Sequence, residues 1–124
     1  MITVKGHKFD VDILDVDDSE RIVDVIRETE SKISSLQESD GSIESTLKLQ
    51  AETFEILKMG LTSTLGEDAP TKIFGDKRNL KTAREAWDDL IDGLGKQYED
   101  EMTESIKRRE TRAEKWGAGR IEPR

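Results

Sequence analysis

Five aspartates fall within nine residues near the start of this 124-residue chain: Asp10, Asp12, Asp15, Asp17 and Asp18. Carboxylates at alternate positions suit a calcium loop, but such a loop also needs a glycine at its sixth position and a bidentate glutamate at its twelfth. Neither is in place here. Strand alternation would set Asp10 and Asp12 on an outer face, and Asp17, Asp18 or Ser19 suits the start of a helix. The single histidine, His7, sits beside Gly6 where a turn is expected, and no serine or cysteine nucleophile can be assembled around it. Gly93-Leu94-Gly95 lacks the third glycine and the strand-to-helix setting of a dinucleotide loop. The residues therefore predict no catalytic set, no metal site and no cofactor, and point to a protein that works by binding other proteins.

Composition agrees with a binding role. Charged residues make up 39% of the chain and apolar residues 33%, against roughly 25% charged in ordinary globular domains. Net charge is −8, a sign that repels phosphate backbones and anionic membranes, so neither nucleic acid nor membrane is an expected partner. The charge is uneven. From Lys107 to Arg124 seven basic residues face three acidic ones, a net of +4, which leaves −12 on the residues before them. There is no cysteine, which excludes a disulfide framework and fits an intracellular setting. No opening apolar segment reads as a signal peptide, and no stretch approaches membrane-spanning length.

These features must be carried by a small number of elements. Ile2, Val4, Phe9, Val11 and Ile13 alternate with polar neighbours, which predicts a hairpin over residues 2–14 with its turn at Gly6-His7. A first helix is expected over 19–37, with Ile22, Val23, Ile26, Ile33 and Leu36 on a stripe interrupted by Thr29 and Glu30. A second, over 42–65, is capped by Ser42 or Asp40 and stopped by Gly66; its main apolar stripe is Ile43, Leu47, Ala51, Phe54, Leu57, Leu61 and Leu65. A short helical turn within 67–75 is capped by Asp68, with Pro70 in its first turn. A long helix capped by Asn79 then runs from Leu80 to about Lys115. Its apolar line is Leu80, Ala83, Trp87, Leu90, Ile91, Leu94, Tyr98, Met102 and Ile106, with a kink or close crossing at Gly93 and Gly95. The expected fold is mainly α (α+β): an N-terminal hairpin, three main helices and a helical turn. It forms one domain over 1–116, followed by a disordered tail over 117–124.

Two groups of residues stand outside that core. Leu49, Ile56 and Met59 make a lesser apolar stripe on the 42–65 helix, and a helix apolar on two sides either sits centrally or meets a partner. Trp116 stands beside Arg108, Arg109 and Arg112 where no core is predicted, and exposed tryptophan and arginine are residues that interfaces enrich. These seven are the candidate partner-contact residues. Trp87 and Tyr98 lie on the apolar line of the long helix and read as core. The basic end and acidic body could also attract neighbouring copies.

With those residues laid out, the chain resembles the small tail assembly chaperones of long-tailed bacteriophages, of the type found in phages of Gram-positive hosts. The likeness rests on the order of its segments: the opening "ITVKGHKFDVDILD", the helix and turn "AETFEILKMGLTSTLGEDAPTKIFG", the continuation "DKRNLKTAREAWDDLIDGL" and the basic "KRRETRAEKW". Residues 54–94 carry most of it, and the closing "GAGRIEPR" has no counterpart. The resemblance implies a protein that coats the tape measure protein and keeps that long apolar helix soluble. It departs when the tail tube protein polymerises and is absent from the mature virion. It also implies a homo-oligomer, a frameshifted longer form that recruits the tail tube protein, and action in the cytoplasm of the infected bacterial cell. Two other readings of the residues stay open: a head-tail connector or completion protein of a phage, and a small antitoxin-like regulatory protein.

Overall fold

The computed structural model describes residues 1–115, with side chains described through Glu110. The element order is β1 (Ile2–Val4), β2 (His7–Phe9), α1 (Val16–Ser34), α2 (Ile43–Leu65), α3 (Ala69–Phe74) and α4 (Leu80–Lys115). The mainly helical architecture with a small N-terminal hairpin is the one its patterning predicts. Trp116, and the tail predicted over 117–124, lie outside the described residues.

The hairpin is tighter than predicted. β1 and β2 pair antiparallel with Val4 opposite His7, so the turn is Lys5-Gly6 and His7 belongs to a strand. Lys5 and Gly6 have φ of 50° and 83°, the consecutive positive angles that let a two-residue loop follow the strands' twist. β2 ends at Phe9, short of the predicted residue 14. There the Val11 amide turns back to the Phe9 carbonyl at 3.1 Å, which ends the ladder. Ile2, Val4, Phe9 and Val11 are all buried.

Two aspartates of the run hold local backbone. Asp12 Oδ1 accepts the Leu14 amide at 2.9 Å and Asp15 Oδ1 accepts the Asp18 amide at 3.0 Å. Asp15, rather than Asp17, Asp18 or Ser19, therefore caps α1, which begins and ends three residues earlier than predicted. Ile22 is buried, and Val23 is left exposed. Thr29, which seemed to interrupt the stripe, is itself buried, because α2 offers Gly60 opposite it.

Ser42 Oγ caps α2 by accepting the Ser45 amide at 3.1 Å. The apolar middle and end of α2, Phe54, Leu57 and Leu61, are buried. Buried Thr53 and Thr64 hydrogen-bond the carbonyls of Leu49 and Gly60, four residues back, which satisfies hydroxyls that would otherwise oppose burial. No basic residue occupies the last turn of α2. Arg21 of α1 reaches across instead and donates to the Ser63 and Thr64 carbonyls. In α3, Asp68 makes no capping bond, contrary to expectation. Its carboxylate pairs with Lys72 at 3.0 Å. Phe74 lies 5.1 Å from Phe54, ring centre to ring centre.

Asn79 Oδ1 caps α4 by accepting the Thr82 amide at 3.1 Å. Ala83, Ala86, Trp87, Leu90 and Leu94 are buried, and Leu61, Leu90, Val4 and Val11 are the largest fully buried side chains among the described residues. The helix is continuous through Gly93 and Gly95. Gly93 permits close packing against the hairpin, since a Cβ there would stand 3.3 Å from Ile2 Cβ; at Gly95 the space is open.

The contacts fix the direction of each helix. Arg21 meets Ser63 and Thr64, Thr29 meets Gly60 and Lys32 meets Met59, so α1 and α2 are antiparallel. Arg78 pairs with Glu55 and Trp87 meets Gly60, so α4 advances in the same sense as α2. The hairpin covers the middle of α4: Lys5 N donates to Asp89 Oδ2, and Gln97 bonds both the Val11 carbonyl and the Ile13 amide. The start of α2 and the end of α4 consequently lie at opposite ends of the molecule. Among the described residues, no helix is long and apolar enough to cross a membrane.

Candidate interaction surfaces

Helical periodicity marks an apolar face but does not say whether a neighbour covers it. Seven residues of α2 and α4 read as core from their spacing prove exposed. Ile43 is 79% exposed, because α1 flanks α2 on another side and no element reaches the first turns' apolar stripe. Leu47 and Ala51, further along that stripe, are exposed too. Tyr98 is 54% exposed, Met102 43% and Ile106 47%, because the hairpin's last tie to α4 is at Gln97. Ile91 also emerges on that face. Relative length gives a signal for this in advance. A 36-residue helix spans about 54 Å against about 35 Å for one of 23, so α2 cannot cover α4.

The predicted contact residues that are described fall into three separate places. Met59, 61% exposed, and half-buried Ile56 line a shallow groove between α1 and α2, together with Val25, Thr29 and Lys32. Lys32 Nζ lies 4.0 Å from Met59 Sδ and also pairs with Glu28. Half-buried Leu49 lies further along α2, in a second groove beside Leu36. Arg108 and Arg109 are exposed on the distal part of α4. The backbone of Arg112 belongs to α4, its side chain lies outside the described set, and Trp116 lies outside the described residues altogether.

His7 is exposed in β2. Asp40 supports the α2 cap: it accepts from the Ser42 hydroxyl and amide, which hold its carboxyl below the usual carboxylate value. The Lys72 ammonium does the same for Asp68. A groove of about 530 Å³ between β1 and α4 is lined by Asp89, Asp92, Lys96, Asp100 and Glu101, an acidic surface without an enclosed floor. Among the described residues, no group of three or more His, Cys, Asp or Glu side chains could hold a metal ion.

What the arrangement offers is apolar side chains held on rigid helices and surrounded by charge. That combination suits reversible contact with another apolar helix. No curated protein and no solved structure matches the chain. Residues 5–120 match a family of unknown function, DUF6673, and the chain belongs to that family.

Proposed function

We propose that this protein is a tail assembly chaperone of a long-tailed bacteriophage. It binds the tape measure protein in the cytoplasm of the infected bacterial cell and holds it soluble. It leaves as the tail tube protein, recruited by a frameshifted longer form, polymerises. The observation that carries this reading is the outer side of α2, where Met59 and Ile56 line a groove beside α1 in an otherwise acidic molecule. A long apolar helix exposed to water aggregates, and an amphipathic helical surface can cover it without a covalent or catalytic step. The high charge density keeps the resulting complex soluble.

Coexpression with the very large open reading frame expected nearby tests the proposal. The tape measure protein should move from the pellet to the supernatant in the presence of this chain, and Met59→Lys should reverse that while the variant itself stays folded. Equal insolubility with and without this chain sinks the mechanism. Abundant full-length protein in purified mature virions would favour a structural connector instead.

A further inference from the structure

The distal part of α4 carries a surface that the α2 groove does not explain. At 3.6 residues per turn, Ile91, Gly95, Tyr98, Met102 and Ile106 fall within about 80° of one another around the helix. The four side chains are exposed, and a Cβ on Gly95 would meet nothing within 4 Å. Beyond Gln97, among the described residues, α4 makes no hydrogen bond or ion pair to another element. From Tyr98 to Glu110 it thus extends about 20 Å without a hydrogen bond or ion pair to another element. An isolated helix of that length is marginal in water, so it gains by being paired.

The charges specify the pairing. Glu99, Asp100, Glu101 and Glu104 precede Lys107, Arg108 and Arg109. A parallel, in-register pair of such helices sets acid against acid and base against base. An antiparallel pair crossing between Glu104 and Ser105 sets Asp100 and Glu101 of each copy against Arg109 and Arg108 of the other. Glu101 and Arg108 are seven residues apart and so lie on one flank of the helix. In an antiparallel pair each flank faces the same flank of its neighbour, which brings Glu101 of one copy to Arg108 of the other, twice. The same crossing interleaves Met102 and Ile106 from both copies.

We propose that this segment of α4 is a self-association surface, joining two copies as an antiparallel helix pair centred between Glu104 and Ser105. The contact is isologous, using one patch on both molecules, and therefore closes at two. It uses none of the residues that line the α1–α2 groove.

The chain contains no cysteine, so single-cysteine variants of the full-length protein report the register. Ser105→Cys should oxidise to a disulfide-linked dimer. Glu101→Cys and Arg108→Cys should each form no disulfide alone, because like positions lie about 10 Å apart along the axis. An equimolar mixture of those two should cross-link. In sedimentation equilibrium, Glu101→Arg should weaken the dimer about tenfold by replacing two attractive pairs with two repulsive ones. Adding Arg108→Glu should restore it. Cross-linking of Glu101→Cys with itself, a monomer at every concentration of the unaltered chain, or no loss on charge reversal overturns the proposal. The assay needs this chain alone, so it fails or succeeds separately from the coexpression.

Discussion

Gly60 of α2 and Thr29 of α1 are packed so closely that a Cβ on Gly60 would stand 2.6 Å from Thr29 Oγ1. Turning Thr29 about its Cα–Cβ bond gives no escape, since its Cγ2 is 3.2 Å away, and Trp87 Cζ3 of α4 lies 2.9 Å away on another side. Three helices meet at the hydrogen of one glycine. Gly60→Ala should therefore destabilise the fold by about 1–2 kcal/mol, overpacking outweighing the roughly 1 kcal/mol by which alanine favours a helix. Urea denaturation measures it. A variant as stable as the parent would show that α1 can slide off α2 at no cost.

Gln97 ties the hairpin to α4 with both ends of its amide: Nε2 donates to the Val11 carbonyl and Oε1 accepts the Ile13 amide, each at 2.9 Å. Gln97→Glu keeps the acceptor but sets a carboxylate oxygen against the Val11 carbonyl. Gln97→Leu loses both bonds. We expect a loss of about 1–3 kcal/mol in either case, with faster hydrogen exchange at Ile13. Unchanged exchange at Ile13 would remove Gln97 from this role.

The Lys5-Gly6 turn requires positive φ at both positions. Gly6→Ala should cost about 1 kcal/mol. Lys5→Asn should be neutral or slightly stabilising, because asparagine tolerates this conformation and the Lys5–Glu85 pair it removes, at 3.6 Å, is long and partly exposed. Thermal melts of the two variants should move in opposite directions or leave only Gly6→Ala displaced.

Asp40 and Asp68 are held below the ordinary value of 3.8 by Ser42 and Lys72 respectively. A depressed carboxyl pKa contributes stability that is fully present above 3.8 and is lost as pH falls through the folded value. Both groups are exposed, so the effect on the whole fold is small. Carboxyl carbon shifts followed by NMR should give both midpoints below 3.8. A midpoint at or above it would mean that the α2 cap support or the α3 ion pair does not persist in solution.

Much of the fold is legible in the residues because local rules and packing agree there. Ser42, Asn79 and Gly66 do what their types suit, and Phe54, Leu57 and Leu61 are buried as their spacing implies. The misses have two physical sources. Where several polar residues compete for one role, the backbone decides: Asp15 takes the cap that Asp17, Asp18 or Ser19 could have supplied, and Lys5 joins Gly6 in the turn. Where an apolar stripe outruns its neighbours, periodicity gives no warning, so Ile43, Tyr98, Met102 and Ile106 look like core until the covering elements are placed. Thr29 is the reverse case, a polar residue made core by a glycine on another helix.

The hairpin's dependence on α4 sets an order of events during synthesis. Ile2, Val4, Phe9 and Val11 leave the ribosome first, yet the groups that hold them, Asp89 and Gln97, follow more than eighty residues later. At roughly 5–20 residues per second, that apolar face waits several seconds for its shelter. Residues 15–65 can meanwhile close as an α1–α2 pair through contacts much nearer in the chain. The first segment made is thus the last to be buried, and nascent chains stalled before α4 emerges should present the hairpin's apolar side to whatever holdase is at hand.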